Sequence, residues 1–369
     1  MSTQKYWIWL SLKRDARKYW YVLLEKFGDI RRLYSADEKS LLEFGLPEKA
    51  ARSLAGKELK EAEQVVEQCR TQDVHIITLE DADYPQRLIS IDRPPLVLYV
   101  KGRLPDIDGT VCVSVVGTRR PTAYGIAAAE SFAGALAGAG CTVVSGMALG
   151  IDSAANRSAL KAGGSTVAVL GCGVDVCYPP SNRRLMDDII AVGAVVSEYP
   201  PGTEPAPYHF PERNRIISGL SAATLVVEAP YGSGALITAN YALEAGRDVF
   251  AVPGNIGVRN ADGCHALIRD GAMLAAKPEH ILEVYGLAAK PMEGPQILTE
   301  RREPAGEPAE KPPLSEPEAA VLAAVEAGAA SPDAVIEQTG LSTPEVMAAI
   351  TMLELSGTIR REHGNIIKH

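Results

Sequence analysis

Between Val111 and Pro253, almost every short apolar run of this chain ends in a glycine-rich turn. The first, Val113-Ser-Val-Val116, stops at Gly117, passes through Thr118-Arg119-Arg120-Pro121 and enters an alanine-rich stretch near Gly125. The second, Thr142-Val-Val-Ser145, stops at Gly146 and reaches Gly150 and Asp152 before the next helical stretch. Further runs at 166–170, 194–196, 225–227 and 249–252 repeat the plan, with helical patterns such as 127–139 and 153–162 between them. Runs this short, separated by helix-length segments, are parallel strands joined by right-handed crossovers. The expected fold class is α/β: a Rossmann-like, doubly wound, mostly parallel sheet with helices on both faces. Ligands of such sheets sit outside the carboxyl ends of the strands, where these turns lie.

The turns carry arginines and no evident catalytic set. A glycine turn that opens a helix leaves backbone N–H groups unpaired at the positive end of the helix dipole, which favours an anion. Arginine adds a forked, permanently charged phosphate clamp. The sequence therefore points to a site for phosphates.

At 369 residues the chain exceeds one compact core. It is 46% hydrophobic and 22% charged, as soluble proteins are. No apolar run approaches the ~20 residues of a membrane span, and the patch Tyr6-Trp-Ile-Trp-Leu10 is too short for a signal-peptide core, so a cytoplasmic location is expected. The six scattered cysteines read as buried free thiols, and the spacing of Cys172 and Cys177 argues against zinc. The net charge of −9 is concentrated at the end. Residues 286–369 carry 7 basic and 13 acidic groups, against 14 and 12 in residues 1–75. A local basic groove on an acidic protein remains open, and its binding would be salt-sensitive.

Four parts are expected. Residues 1–75 read as a small helical domain of helix-hairpin-helix or sterile-alpha-motif type, either a DNA binder or a packing module. Residues 76–285 hold the core, with 76–109 as a bridge marked by turns at Asp83-Tyr-Pro85 and Arg93-Pro-Pro95. Residues 286–317, with seven prolines among Glu, Lys and Ala, read as a semi-rigid linker. Residues 318–369 read as three helices and a hairpin, a winged-helix plan. The third of those helices contains Glu345 and Glu354 and no Lys or Arg, which argues against duplex reading through it. A protein contact or an auxiliary strand contact through Arg360, Arg361 and Lys368 fits better.

Several ordered motifs of the core resemble the DNA-processing protein A (DprA, also called Smf) family. They are Val116-Gly-Thr-Arg119 with Tyr124-Gly125, Ser145-Gly-Met-Ala-Leu-Gly-Ile-Asp152, and Leu170-Gly-Cys-Gly-Val-Asp175 with Tyr178-Pro-Pro-Ser-Asn182. Then follow Phe210-Pro-Glu-Arg-Asn-Arg-Ile-Ile-Ser-Gly219, Glu228 with Ser233-Gly-Ala-Leu-Ile-Thr238, Val252-Pro-Gly254 and Gly263-Cys-His-Ala-Leu-Ile268. The similarity spans about residues 75–285, and the helical start and winged-helix-like end suit the family's layout. The resemblance implies a single-stranded DNA-binding mediator that forms a homodimer, protects incoming strands in natural transformation and loads the recombinase RecA. It implies no cofactor, no metal and no turnover.

The residues expected to line a DNA groove are Gly117, Thr118, Arg119, Gly146, Gly150, Phe210, Arg213, Asn214 and Arg215. Arg119 contacts a phosphate or pairs with a surface carboxylate. The three glycines admit a DNA backbone, make tight turns, or both. Phe210, read as part of a loop rich in Pro and Gly, stacks on a base or closes the core. Asn214 reads phosphate or sugar, or caps a helix. Asp152 is read as a partner of a helix N-terminus. Pro207 and Pro180 stand where the family often has a basic residue.

The alternative is a nucleotide-binding hydrolase related to phosphoribohydrolases of the lysine-decarboxylase-like group. Gly171-Cys-Gly173 resembles the start of a dinucleotide fingerprint, but Val176 replaces its third glycine. Neither His209 nor His265 has a partner acid or nucleophile at readable spacing.

Overall fold

The short apolar runs become strands in the computed structural model, which describes residues 3–288, 315–355, 358–362 and 365–368. Seven strands run parallel: β3 (Cys112–Val116), β4 (Thr142–Ser145), β5 (Thr166–Val169), β6 (Ala194–Ser197), β7 (Ala223–Val226), β8 (Asp248–Ala251) and β9 (Met273–Leu274). The segment read as a bridge supplies two more, β1 (His75–Thr78) and β2 (Val97–Gly102), which pair antiparallel with each other. β2 also joins β6 antiparallel, giving one nine-stranded sheet in the order β1-β2-β6-β5-β4-β3-β7-β8-β9. The fold is the doubly wound, mostly parallel α/β sheet that the sequence predicts.

Alternate strand residues point to opposite faces. Val113, Val115, Val143 and Leu225 pack in the cluster formed with the helices Ala123–Gly138 and Ile151–Lys161. Val116, Val144, Val167 and Val226 pack with the helices His209–Gly219 and Gly234–Glu244 on the other face. Burial on both faces is why these strands read as unbroken apolar runs instead of alternating ones. The six cysteines are free and buried.

The chain divides into two compact units, Met1–Gly294 and Pro295–His369. In the first, the short N-terminal helices share a core with the sheet: Trp7, Trp9, Leu23, Leu33 and Leu54 cluster with Tyr99, Ala168 and Val195. In the second, helices Glu316–Glu326, Pro332–Thr339 and Thr343–Leu355 precede the antiparallel pair β10 (Ile359–Glu362) and β11 (Asn365–Lys368). A reciprocal capping box between Ser315 and Glu318 starts the first helix. Val321, Val335, Ile350, Ile359 and Ile366 close this unit's core. Most of the expected linker at 286–317, and the side chains of Arg360, Arg361 and Lys368, lie outside the described residues. No described helix is long and apolar enough to cross a membrane.

A buried ion pair ties three segments of the first unit. The Arg215 guanidinium donates to both Glu198 carboxylate oxygens at 2.7 and 2.8 Å and to the Arg93 carbonyl at 2.9 Å. The two side chains are 8% and 6% exposed. This corrects the expectation that Arg215 lines a DNA groove. Residues 209–219 form a helix, so Arg213 and Arg215 point about 200° apart, and Arg215 turns away from the strand-end cleft. Removing one charge of such a pair strands the other: Glu198→Gln should lower stability by roughly 3–5 kcal/mol in urea unfolding. A loss below about 1 kcal/mol would show that the pair does not tie these segments.

Candidate nucleic-acid interface

β3 lies between β4 and β7, so the chain winds away from it in one direction and returns to its other side. This reversal opens a crevice at the carboxyl ends of the strands. A cleft of about 530 Å³ lies there, lined among others by Gly117, Arg119, Tyr178, Phe210, Asn214 and Ser233.

The turn after β3 is held by the turn after β7. Thr118 N–H donates to the Glu228 carbonyl at 2.7 Å, and Thr122 N–H donates to the Glu228 carboxylate at 2.9 Å. The Thr122 hydroxyl also bonds that carboxylate and accepts from Gly125 N–H, capping the helix Ala123–Gly138. The Asn260 amide donates to the same carboxylate at 3.2 Å. Glu228 is thus buried and occupied as a structural acceptor.

The turn after β4 is held from beneath. Gly146 N–H donates to Asp152 at 3.1 Å, and the Asn182 amide donates to the Met147 carbonyl at 2.9 Å. Met147 adopts the left-handed conformation (φ 54°), which is rare for a residue with a side chain and is fixed here by those bonds. Gly150 has φ 83°, and a Cβ there would stand 2.4 Å from the Thr118 carbonyl. A Cβ on Gly146 would meet the Arg213 guanidinium at 2.6 Å. The tight-turn reading of these glycines therefore holds: the close approach at each is intramolecular.

Arg213 reaches the floor of the cleft from the helix His209–Gly219. Its Nη1 donates to the Gly146 carbonyl at 3.0 Å and to the Val169 carbonyl, and its Nε donates to Asn214 at 3.3 Å. It is buried beside Asp152. Burial pushes the Asp152 carboxyl up, while Arg213 and the N–H groups of Ala148 and Gly146 pull it back. Asn214 donates to the Gly234 carbonyl at 3.1 Å, joining this helix to the start of the next. It caps neither helix: it lies within one, and the other is capped by Ser233.

Arg119 is different. It is exposed, and among the described residues no carboxylate lies within ion-pair distance of it. Its guanidinium stands 5.2 Å from the centroid of the Phe210 ring, which in turn packs against Tyr178 at 5.4 Å. Phe210 is half-buried in the first turn of a helix, where Pro211 is tolerated because the first N–H groups lack helical partners. The loop expected there is absent, and the ring neither enters the core nor stands free. Ser233, capping Ala235 N–H at 3.3 Å, starts the helix Gly234–Glu244 at the opposite wall. Two helix N-termini thus open onto the cleft beside a free guanidinium.

Sequence reasoning passed over Tyr178 and Asn182 as site residues. Their position just after β5 was the available signal, since that edge gathers the loops of the site. His209 donates from Nδ1 to the Gly171 carbonyl (3.0 Å) and stacks on Tyr199 with ring centroids 3.9 Å apart. Burial pushes its pKa down, opposed by the Gly171 hydrogen bond and by Glu212.

Residues 75–286 match the DNA recombination-mediator protein A family, and residues 305–365 match the DprA winged helix domain. Protein Smf of Synechocystis is 39% identical over 328 residues, covering 82% of this chain and 81% of that one. DNA processing protein A of Streptococcus pneumoniae superposes with a TM-score of 0.67 at 35% identity, over 77% of this chain and 98% of that structure. The Helicobacter pylori protein, described for its single-stranded DNA binding mode, gives 0.52 at 29% identity over 57% of this chain and 95% of that structure. With this sheet, this switch-point cleft and these matches, the chain belongs to the DNA recombination-mediator protein A (DprA/Smf) family.

Proposed function

We propose that the cleft holds single-stranded DNA and that the protein, as a cytoplasmic homodimer, protects the strand and passes it to the recombinase RecA. The observation that carries the strand-binding reading is Arg119, exposed, unpaired and stacked over Phe210 at the lip of a cleft where two helix N-termini open. Phosphates meet Arg119 and the N–H groups near Gly117 and Gly234, with the Thr118 hydroxyl beside them. A base stacks beside Phe210 and Tyr178. Arg213 and Asn214 hold the walls, and Gly146 and Gly150 keep the turns tight enough to form them. The relatives described above as DNA-processing and single-strand-binding proteins support this reading.

A binder is favoured over the phosphoribohydrolase alternative because the acids of the cleft are already engaged. Glu228 is saturated by Thr122 and Asn260, and Asp152 is buried against Gly146 and Arg213. Nucleotide titration separates the two readings: saturable binding of a mononucleotide with release of its base would favour the hydrolase.

Fluorescence anisotropy with a labelled dT oligomer and the matching duplex, across a salt series, tests the proposal. Binding should be tight and salt-sensitive for the single strand alone; equal affinity for the duplex, or none for either, would reject it. Arg119→Ala should weaken the single strand and flatten the plot of log affinity against log salt by roughly 0.7, the contribution of one phosphate. An unchanged slope would remove Arg119 from the site. Phe210→Leu keeps apolar bulk but not a ring, and should cost about 1–3 kcal/mol of binding without a comparable loss in thermal stability.

A further inference from the structure

The N-terminal segment Lys13-Arg14-Asp15-Ala16-Arg17-Lys18 places four cations within six residues and runs directly into Tyr19-Trp20-Tyr21. Nothing in the cleft accounts for it. The nearby carboxylates are largely occupied: Asp15 pairs with Lys49 at 2.9 Å, Glu212 with Arg17 at 3.6 Å and Glu198 with Arg215. Glu61, which lines the same depression as Arg14 and Arg17, forms no ion pair among the described residues. Arg14 and Lys18 are exposed, with no carboxylate at ion-pair distance among the described residues. Beside them Tyr21 is 63% exposed and packs edge-on against Trp20 at 5.8 Å.

The residue that precedes the cleft helix connects this patch to the lip of the cleft. The Arg14 guanidinium stands 5.9 Å from the centroid of Tyr208, whose ring is 53% exposed. Tyr208 follows Pro207 and precedes Phe210 by two residues, and both of those line the cleft. A depression of about 620 Å³ lined by Arg14, Arg17 and Tyr208 continues from there. Exposed rings alternating with unpaired cations suit a flexible strand whose bases present open faces; a duplex keeps those faces stacked.

We propose that a single strand leaving the cleft passes over Tyr208 and continues onto the segment 13–21, with phosphates on Arg14 and Lys18 and bases against Tyr208 and Tyr21. The N-terminal helical part is then a second half of the strand track as well as a packing layer. This rests on the reading of the cleft as a single-strand site.

The test compares dT oligomers of about 4 and about 16 nucleotides, lengths that span one small site and an extended one. The double variant Arg14→Ala/Lys18→Ala should weaken the longer oligomer roughly tenfold at low salt and flatten its salt slope by roughly 1.4, two phosphates at 0.7 each. The shorter oligomer should bind as to the wild type, and the pair Arg14→Lys/Lys18→Arg should restore the slope. Arg119→Ala should weaken both lengths. If the double variant binds both lengths like the wild type while Arg119→Ala loses both, the extended track is wrong and the cleft reading stands. If Arg119→Ala changes neither, the cleft reading fails and the track with it. A duplex weakened as much as the longer single strand also overturns the proposal.

Discussion

Arg213 ties the turn after β4 to the end of β5 at the floor of the cleft, and the shape of the site follows from it. It springs from the helix after β6 and bonds the turn after β4 and the last carbonyl of β5. Asp152, from the helix after β4, lies beside it, and burial works against the charged form of both. A buried pair of this kind adds little net stability, because desolvation offsets most of the attraction. What it does provide is register: carbonyls of two junctions are held to one guanidinium. The opposite wall has its counterpart in Glu228, which fixes the turn after β3 and the cap of the following helix. With both walls set by buried charges, the exposed groups at the lip can serve a ligand without any part in folding.

The parallel core was legible because β3 to β7 are buried on both faces. Short Val- and Ala-rich runs separated by helix-length segments admit few other readings. β1 and β2 were not legible, since Asp83-Tyr-Pro85 and Arg93-Pro-Pro95 are strong turn signals and the strands beside them are fixed by pairing, β1 at the sheet edge with β2, and β2 between β1 and β6. The two-residue β9 is too short to leave a pattern.

At the site, residue choice was more legible than geometry. Arg119, Phe210 and Asn214 do meet at the cleft, as their motifs suggested. The segment from His209 was read as a loop because Pro211 and the glycines and prolines before it dominate the local pattern, yet a proline is accommodated in a first turn. That misreading placed Arg213 and Arg215 on one side. As a helix, the segment sends Arg213 into the junctions and Arg215 to Glu198. Spacing of two on a helix was the signal that separates them. The close approaches at Gly146 and Gly150 depend on partners 67 and 32 residues away in sequence, Arg213 and Thr118, and local pattern does not carry such distances.

The central claim is that a single strand lies at the β3–β7 switch point. Amide hydrogen exchange of the full chain, free and saturated with dT oligomer, tests it most directly because it locates the contact. The account predicts slowed exchange at 117–119, 148–152 and 233–238, the turns and helix start that line the cleft and whose opening a bound strand restrains. Slowing confined to other segments, with these three unchanged in a complex shown to be saturated, would contradict it.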